Sequence, residues 1–299
     1  VTPSAGHGGI AGNLRSIRAM LLAVCMFAAM DTCMKLLGAD LPALQVGALR
    51  ALCSLPLVCA WLAWRGAFAS ALRVRWPLHL LRAALGIAMI ALFAYGLKAL
   101  SLATAYSLFF IGPILIMALS VLVLGEHVNG ARWAAIGAGL LGVLVVLRPT
   151  GAGFFTLGGL AVLASAVCYA VSSVSGRVLA RTERSEHMVF WLMLLMSAGG
   201  ALLAAPGWVA VQARHLPVLA GLAVSGFLGQ VAITEAFSHG EASVVAPFEY
   251  TALAAAVGID WLLWHTLPDR VTVLGAAIII GSGLFLLRHE TRRAPALPP

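Results

Sequence analysis

The sequence predicts an all-α polytopic membrane protein, with ten transmembrane helices in two inverted five-helix repeats. Three observations predict it. The 299-residue chain is 62% hydrophobic and only 10% charged, with a mean hydropathy of +0.99; a soluble domain carries about 25% charged residues to cover its surface. Apolar runs of about twenty residues recur between short polar, Gly- or Pro-containing breaks. The runs lack the period-two alternation of barrel strands, and only helices and closed barrels satisfy their own backbone groups in lipid.

The runs place ten helices at 18–37, 44–64, 78–97, 103–124, 131–147, 157–177, 187–206, 216–237, 242–264 and 271–287. The first carries Asp31 and Lys35 one turn apart on one face, a spacing that lets them pair. The second starts near Pro42 and holds Arg50, an intramembrane cation that needs a carboxylate or helix-end carbonyls beside it. Pro77 opens the third, which has His79 one turn in and Tyr95 near its far end; an imidazole there titrates near neutrality. The fourth carries Tyr106, an internal Pro113 that removes one helical hydrogen bond, and Glu126 at its end. The fifth is Gly-rich.

The sixth, within "SAVCYAVSSVSG", puts Tyr169 and Ser173 four residues apart, with Ser172 on the neighbouring row. Such hydroxyls bind a polar solute or let helices approach closely. Trp191 in the seventh reads as packing or interface. Pro217 starts the eighth, where Glu235 lies towards the end. The ninth, "EASVVAPFEYTALAAAVGIDW", holds Glu249 two residues after Pro247, followed by Tyr250. A carboxylate at a kink accepts bonds from neighbouring helices, binds a cationic amine or carries a coupling proton. The tenth follows Pro268 and ends at "RHETRR".

Basic residues set the orientation. With the N-terminus inside, thirteen of them, from Arg15 and Arg18 through Arg65, Arg82, Arg132, Arg177 and Arg181 to Arg293, gather on the cytoplasmic side. Five, Lys35, Lys98, Arg148, Arg214 and Arg270, fall on the other. This bias puts both termini in the cytoplasm. It also accounts for the net charge of +8 without a nucleic-acid partner. No cleaved signal peptide is evident. The five cysteines lie in apolar runs away from metal-ligand spacings, so neither disulfides nor a metal or other cofactor is expected. There is no Walker, Rossmann or HExxH motif, and the loops are too short for a catalytic domain.

The two halves, 1–150 and 151–299, repeat one another. Each ends in a proline-interrupted helix, a short polar break and a Gly-rich helix closed by Arg148 or Arg288. Five helices is an odd number, so the second copy enters the membrane from the opposite side.

The stretch "YGLKALSLATAYSLFFIGPILIMALSVLVLGE", with Pro113 and Glu126, resembles the drug/metabolite transporter superfamily in its ten-span EamA-type branch. Arg50 and "AAIGAGLLGVLVVLRP" add to the resemblance, which covers nearly the whole chain. The second half departs from it, with "LWHTLPD" where the first has "LGE"; Glu126 is therefore read as structural. The resemblance implies a secondary transporter, not an enzyme, that exports small metabolites across a bacterial inner membrane. Within the branch the chain looks most similar to exporters of aromatic and other amino acids. The resemblance further implies that helices one, three, four, six, eight and nine line a central cavity, with two, five, seven and ten more peripheral.

On that reading Tyr95, Tyr106, Tyr169 and Tyr250, all the tyrosines of the chain, join Ser172, Ser173, Glu249 and His79 as candidate solute contacts. Asp31 and Arg50 are structural or coupling groups. The expected partners are a small solute, an amino acid first, and the lipid bilayer; a single chain suffices, because inverted-repeat carriers enclose their own site. Channel and membrane-enzyme readings lack a pore-lining repeat or a Ser–His or Asp–His arrangement at matched depth.

Overall fold

A computed structural model describes residues 10–96, 99–100, 102–149, 156–264 and 269–292. Lys98, Arg293, Pro268 and the His265 of "LWHTLPD" lie outside these. Among the described residues there is no strand, and ten helices are long and apolar enough to cross a membrane. They are α1 (Gly12–Leu37), α2 (Ala43–Trp64), α3 (Trp76–Gly96), α4 (Thr104–Leu124), α5 (Gly130–Leu147), α6 (Leu157–Leu179), α7 (Ser185–Gly207), α8 (Ala213–His239), α9 (Ala242–Ile259) and α10 (Arg270–Thr291). The expected limits agree to within about five residues, except that α1 starts six residues before the expected 18.

Eight helices form a closed ring. Going round it, α1 packs on α8, α8 on α2, α2 on α7, α7 on α3, α3 on α6, α6 on α4, α4 on α9, and α9 returns to α1. Helices α5 and α10 pair with each other outside the ring, against α4 and α9. Their backbones meet at two glycines. A Cβ on Gly142 would stand 2.9 Å from the Gly275 carbonyl, and one on Gly275 would stand 2.8 Å from that of Gly142. Small residues allow such approach, which supplies dispersion contact where lipid removes the hydrophobic drive between helices.

The two internal prolines reshape their helices. In α4 the chain turns at Phe110–Ile111 and restarts at Gly112, placing Pro113 in the first turn of the new segment, where its missing N–H costs little. Helix α4 then widens into a π-turn over Ser120–Leu124 and stops at Gly125, whose φ of 68° suits glycine. Helix α9 starts with one α-turn, Ala242–Val245, and tightens into a 3-10 turn, Ala246–Tyr250, containing Pro247. It resumes as α-helix at Thr251. Glu249 is displayed from that tight turn.

Polar ties gather at the end of the bundle where α1, α3, α5, α7 and α9 begin. Glu126 accepts hydrogen bonds from the backbone N–H groups of Ala242 and Ser243, both at 2.9 Å. It thereby caps α9, where the helix dipole favours an anion. Arg177 donates to the carbonyls of Phe237 and Ser238 at the end of α8. Arg15 pairs with Glu235 at 3.0 Å, Arg65 with Glu186 at 2.7 Å, and Arg132 with Glu290 at 3.2 Å and with Glu241. All of these ties except that of Arg177, which lies within the second half, join the first half of the chain to the second. Among the described residues the opposite end has fewer: Asp40 meets Arg214 and His215, and Arg148 meets Asp269. The Arg148 guanidinium beside Asp269 holds that carboxyl well below the usual carboxylate range.

Candidate functional site

The ring encloses a cavity of about 320 Å³, the size of a small-molecule pocket. It runs along α1 from Met20 to Asp31, about 16 Å at the helical rise. Its two ends differ in access. Asp31 is exposed and Tyr106 is 38% exposed, whereas Met188 and Thr234 at the other end are 2% and 4% exposed. The cavity is therefore open on the side of Asp40 and Arg214 and closed on the side of the polar ties.

Its wall is apolar and soft. Six of the nine methionines line it: Met20, Met30, Met89, Met188, Met193 and Met196. Phe27, Phe109, Phe110 and Phe237 add rings. Thioethers are polarizable and re-pack around ligands of different shape. Against this wall stand two acids, Asp31 and Glu249, and two bases, Arg50 and Arg82. Intramembrane charge is costly unless it faces protein or water, and these four face the cavity.

Each charge has its setting. Arg50 lies over the Phe27 ring at 5.6 Å and in the field of Asp31. Glu249 faces Tyr169, whose hydroxyl also engages Ser173. The Tyr169 ring packs on Phe109 with centroids 5.6 Å apart. One carboxylate oxygen of Glu249 is buried with no hydrogen-bond partner, and an acceptor left so is poised for a donor. Tyr106 sits against Phe93 at 5.4 Å, near Asp31 at the open end.

Of the residues singled out from the sequence, Asp31, Arg50, Tyr106, Tyr169, Ser172, Ser173 and Glu249 meet in this cavity. Three expected solute contacts lie elsewhere. Tyr95 is 49% exposed near the outer end of α3, where an amphipathic ring suits the membrane interface. Tyr250 is wholly buried against α5, its ring filling the space left by Gly139; the tight turn that aims Glu249 inward aims its neighbour outward. His79 is 1% exposed and bonded to Glu183 at 2.7 Å below the cavity. Glu126 caps α9, away from the cavity.

Two helices placed at the periphery by resemblance line the cavity. Gly47, Arg50 and Ala51 come from α2, and Met188, Leu192, Met193 and Met196 from α7. The ring needs both, because α2 and α7 close the gap between α8 and α3. Sequence reasoning also missed Arg82, Gln230, Thr234 and the methionines. Arg82 looked like a cytoplasmic-side charge but stands 7% exposed inside α3. Part of this wall was detectable: Met188, Leu192 and Met196 share one face of α7 at four-residue spacing.

The profile of the EamA-like transporter family matches residues 14–148 and again residues 156–288. A riboflavin transporter of Rhizobium johnstonii is 35% identical over 228 residues, 75% of this chain and 74% of that protein. A pseudopaline exporter of Pseudomonas aeruginosa is 29% identical over 275 residues, covering 90% and 95% of the two chains. An S-adenosylmethionine uptake transporter of Rickettsia conorii is 27% identical over 280 residues, covering 93% and 94%. A solved crystal structure superposes with a TM-score of 0.81 at 21% identity over 94% of this chain and 99% of the other, which shows the shared fold. These names do not single out amino-acid export. With the family profile matched in both halves and the ten-helix bundle in place, the chain belongs to the EamA-like transporter family: it is a multi-pass membrane transporter of small solutes and not an enzyme.

Proposed function

We propose that this protein exports an amphipathic metabolite with an apolar, ring-bearing body and a protonated amine, by alternating access of two inverted repeats. One observation carries the cargo reading. Two carboxylates, Asp31 and Glu249, face an otherwise Met- and Phe-walled cavity. The wall takes the body by dispersion, and the carboxylates take the amine. Aromatic amines and aromatic amino acids have this chemistry. Relatives named for riboflavin, pseudopaline and S-adenosylmethionine favour a different and broader class of small metabolite.

The helix ring supports the repeat reading. Exchanging α1 to α5 for α6 to α10 maps the set of neighbour pairs of the ring onto itself, with α2–α7 and α4–α9 each mapped onto itself. The excess of basic residues at the tied end supports cytoplasmic termini. On that reading the cavity as seen is open outward, the releasing state of an exporter. One chain encloses the whole cavity, so the monomer is the working unit.

Counterflow in proteoliposomes tests the cargo. The panel is aromatic amines, aromatic amino acids, riboflavin and matched analogues lacking the amine. Saturable exchange that needs the amine is expected; exchange indifferent to the amine sinks the cargo reading. Tyr169→Leu removes a hydroxyl shared by Glu249 and Ser173. It is expected to weaken exchange by roughly tenfold, the value of a hydrogen bond to a charged group, while the protein stays monodisperse in detergent. Unchanged kinetics for every exchanged solute would remove Tyr169 from the site.

Orientation has its own test. Single cysteines near Arg65, Arg132 or Arg181, in a cysteine-free background, are expected to resist an impermeant thiol reagent added outside cells. A cysteine near Arg214 is expected to react. The reverse pattern would invert the topology and turn export into uptake.

A further inference from the structure

We infer that Arg82 forms a second, anion-binding subsite at the closed end of the cavity, which takes a carboxylate of the cargo. The inference rests on the reading of the cavity as the cargo site. The guanidinium lines the cavity yet is buried, and its Nε and Nη1 have no hydrogen-bond partner. Burying a cation without hydrogen bonds is costly, and a protein retains such a group for a reason. The carboxylate whose field reaches it is Glu183. Glu183 is already engaged, accepting from His79 Nε2 at 2.7 Å and from the backbone N–H of Arg75.

Room for the guanidinium is built in. A Cβ on Gly176 would stand 3.3 Å from Arg82 Nη2, so the group lies close along α6 where a larger residue would press on it. The Nε–H and the Nη1 hydrogens lie on different edges of the planar guanidinium, so they offer separate charge-assisted hydrogen bonds to an anion. Asp31 and Glu249 line the same cavity from α1 and α9. An amine held there and a carboxylate held by Arg82 would orient one cargo molecule, body against the methionines.

The test is calorimetric titration of the full-length protein in nanodiscs with 3-phenylpropanoate and with its neutral amide. The wild type is expected to bind the acid at least tenfold more tightly than the amide. Arg82→Gln is expected to erase that preference while leaving the amide's affinity unchanged. Should Arg82→Gln fail to fold, Arg82→Lys replaces it; the ammonium keeps the charge but loses the fixed guanidinium donor geometry, and the preference is expected to fall several-fold. A preference unchanged in the variant that folds overturns the subsite. So does a wild type that binds acid and amide equally, or binds neither. Phenethylamine, titrated alongside, reports on Asp31 and Glu249 and is expected to bind Arg82→Gln as it binds the wild type. Loss of amine binding with the acid preference intact would fail the cargo reading alone; the reverse would fail only the subsite.

Discussion

Glu249→Gln is expected to lower solute affinity by tenfold or more and to leave any pH response of transport unchanged in shape. Glu249 lines the cavity, faces the Tyr169 hydroxyl, and has one carboxylate oxygen without a partner. A charged hydrogen bond to a bound amine contributes about 1.5–3 kcal/mol, or roughly tenfold to a hundredfold in affinity. Glutamine keeps the shape and one acceptor but gives up the charge. A competing role is proton coupling, which requires a carboxyl that gains and loses a proton in each cycle. The two roles separate in proteoliposomes with and without an imposed pH gradient, alongside counterflow. Weakened affinity in both assays supports cargo binding. Loss of pH-driven transport with intact counterflow would make Glu249 the proton site instead, because solute exchange needs no net protonation cycle.

The second large effect is on stability. Arg132→Ala is expected to destabilise the fold by about 3–5 kcal/mol, the cost of removing one partner from a buried charge pair. The Arg132 side chain is 5% exposed and ties three helices at their ends. Its Nε donates to Glu290 at 3.2 Å, and its Nη1 to Ser243 at 3.0 Å and to the His127 carbonyl at 3.1 Å. It also pairs with Glu241. Truncation leaves the Glu290 side chain, 3% exposed, facing Asn13 at 3.4 Å. Unfolding in mixed micelles measures the change, and adding Glu290→Gln to the alanine variant is expected to recover part of it by removing the stranded charge. A loss of less than about 1 kcal/mol would show the network to be solvated like a surface pair.

This network also bears on transport. Most of the ties at the closed end cross between the halves of the chain, and Glu126 at the start of α9 is one of them. In the proposed alternating-access cycle, opening that end would separate the cross-half ties.

The ten helices were legible in the sequence because the bilayer imposes one rule on every span. Each must be about twenty residues long and apolar, so each reads in isolation from local composition. The breaks at Pro113 and Pro247 were legible for the same reason, since a missing N–H acts within one turn. Orientation and the internal repeat were readable as expectations from charge placement and pattern. The cavity was only partly so. Asp31, Arg50, Tyr169 and Glu249 stood out because intramembrane polar groups are rare and must face something other than lipid. What they face depends on helix rotation and on partners far away in the chain. The sequence therefore treated Tyr250 like its neighbour Glu249, and Arg82 and Arg132 like loop cations. The tertiary structure turned Tyr250 into packing against Gly139, put Arg82 at the cavity floor and placed Arg132 against Glu290, 158 residues away. Length and polarity are properties of a segment and survive in the one-dimensional sequence; the direction of a side chain is fixed by how ten helices close into one bundle.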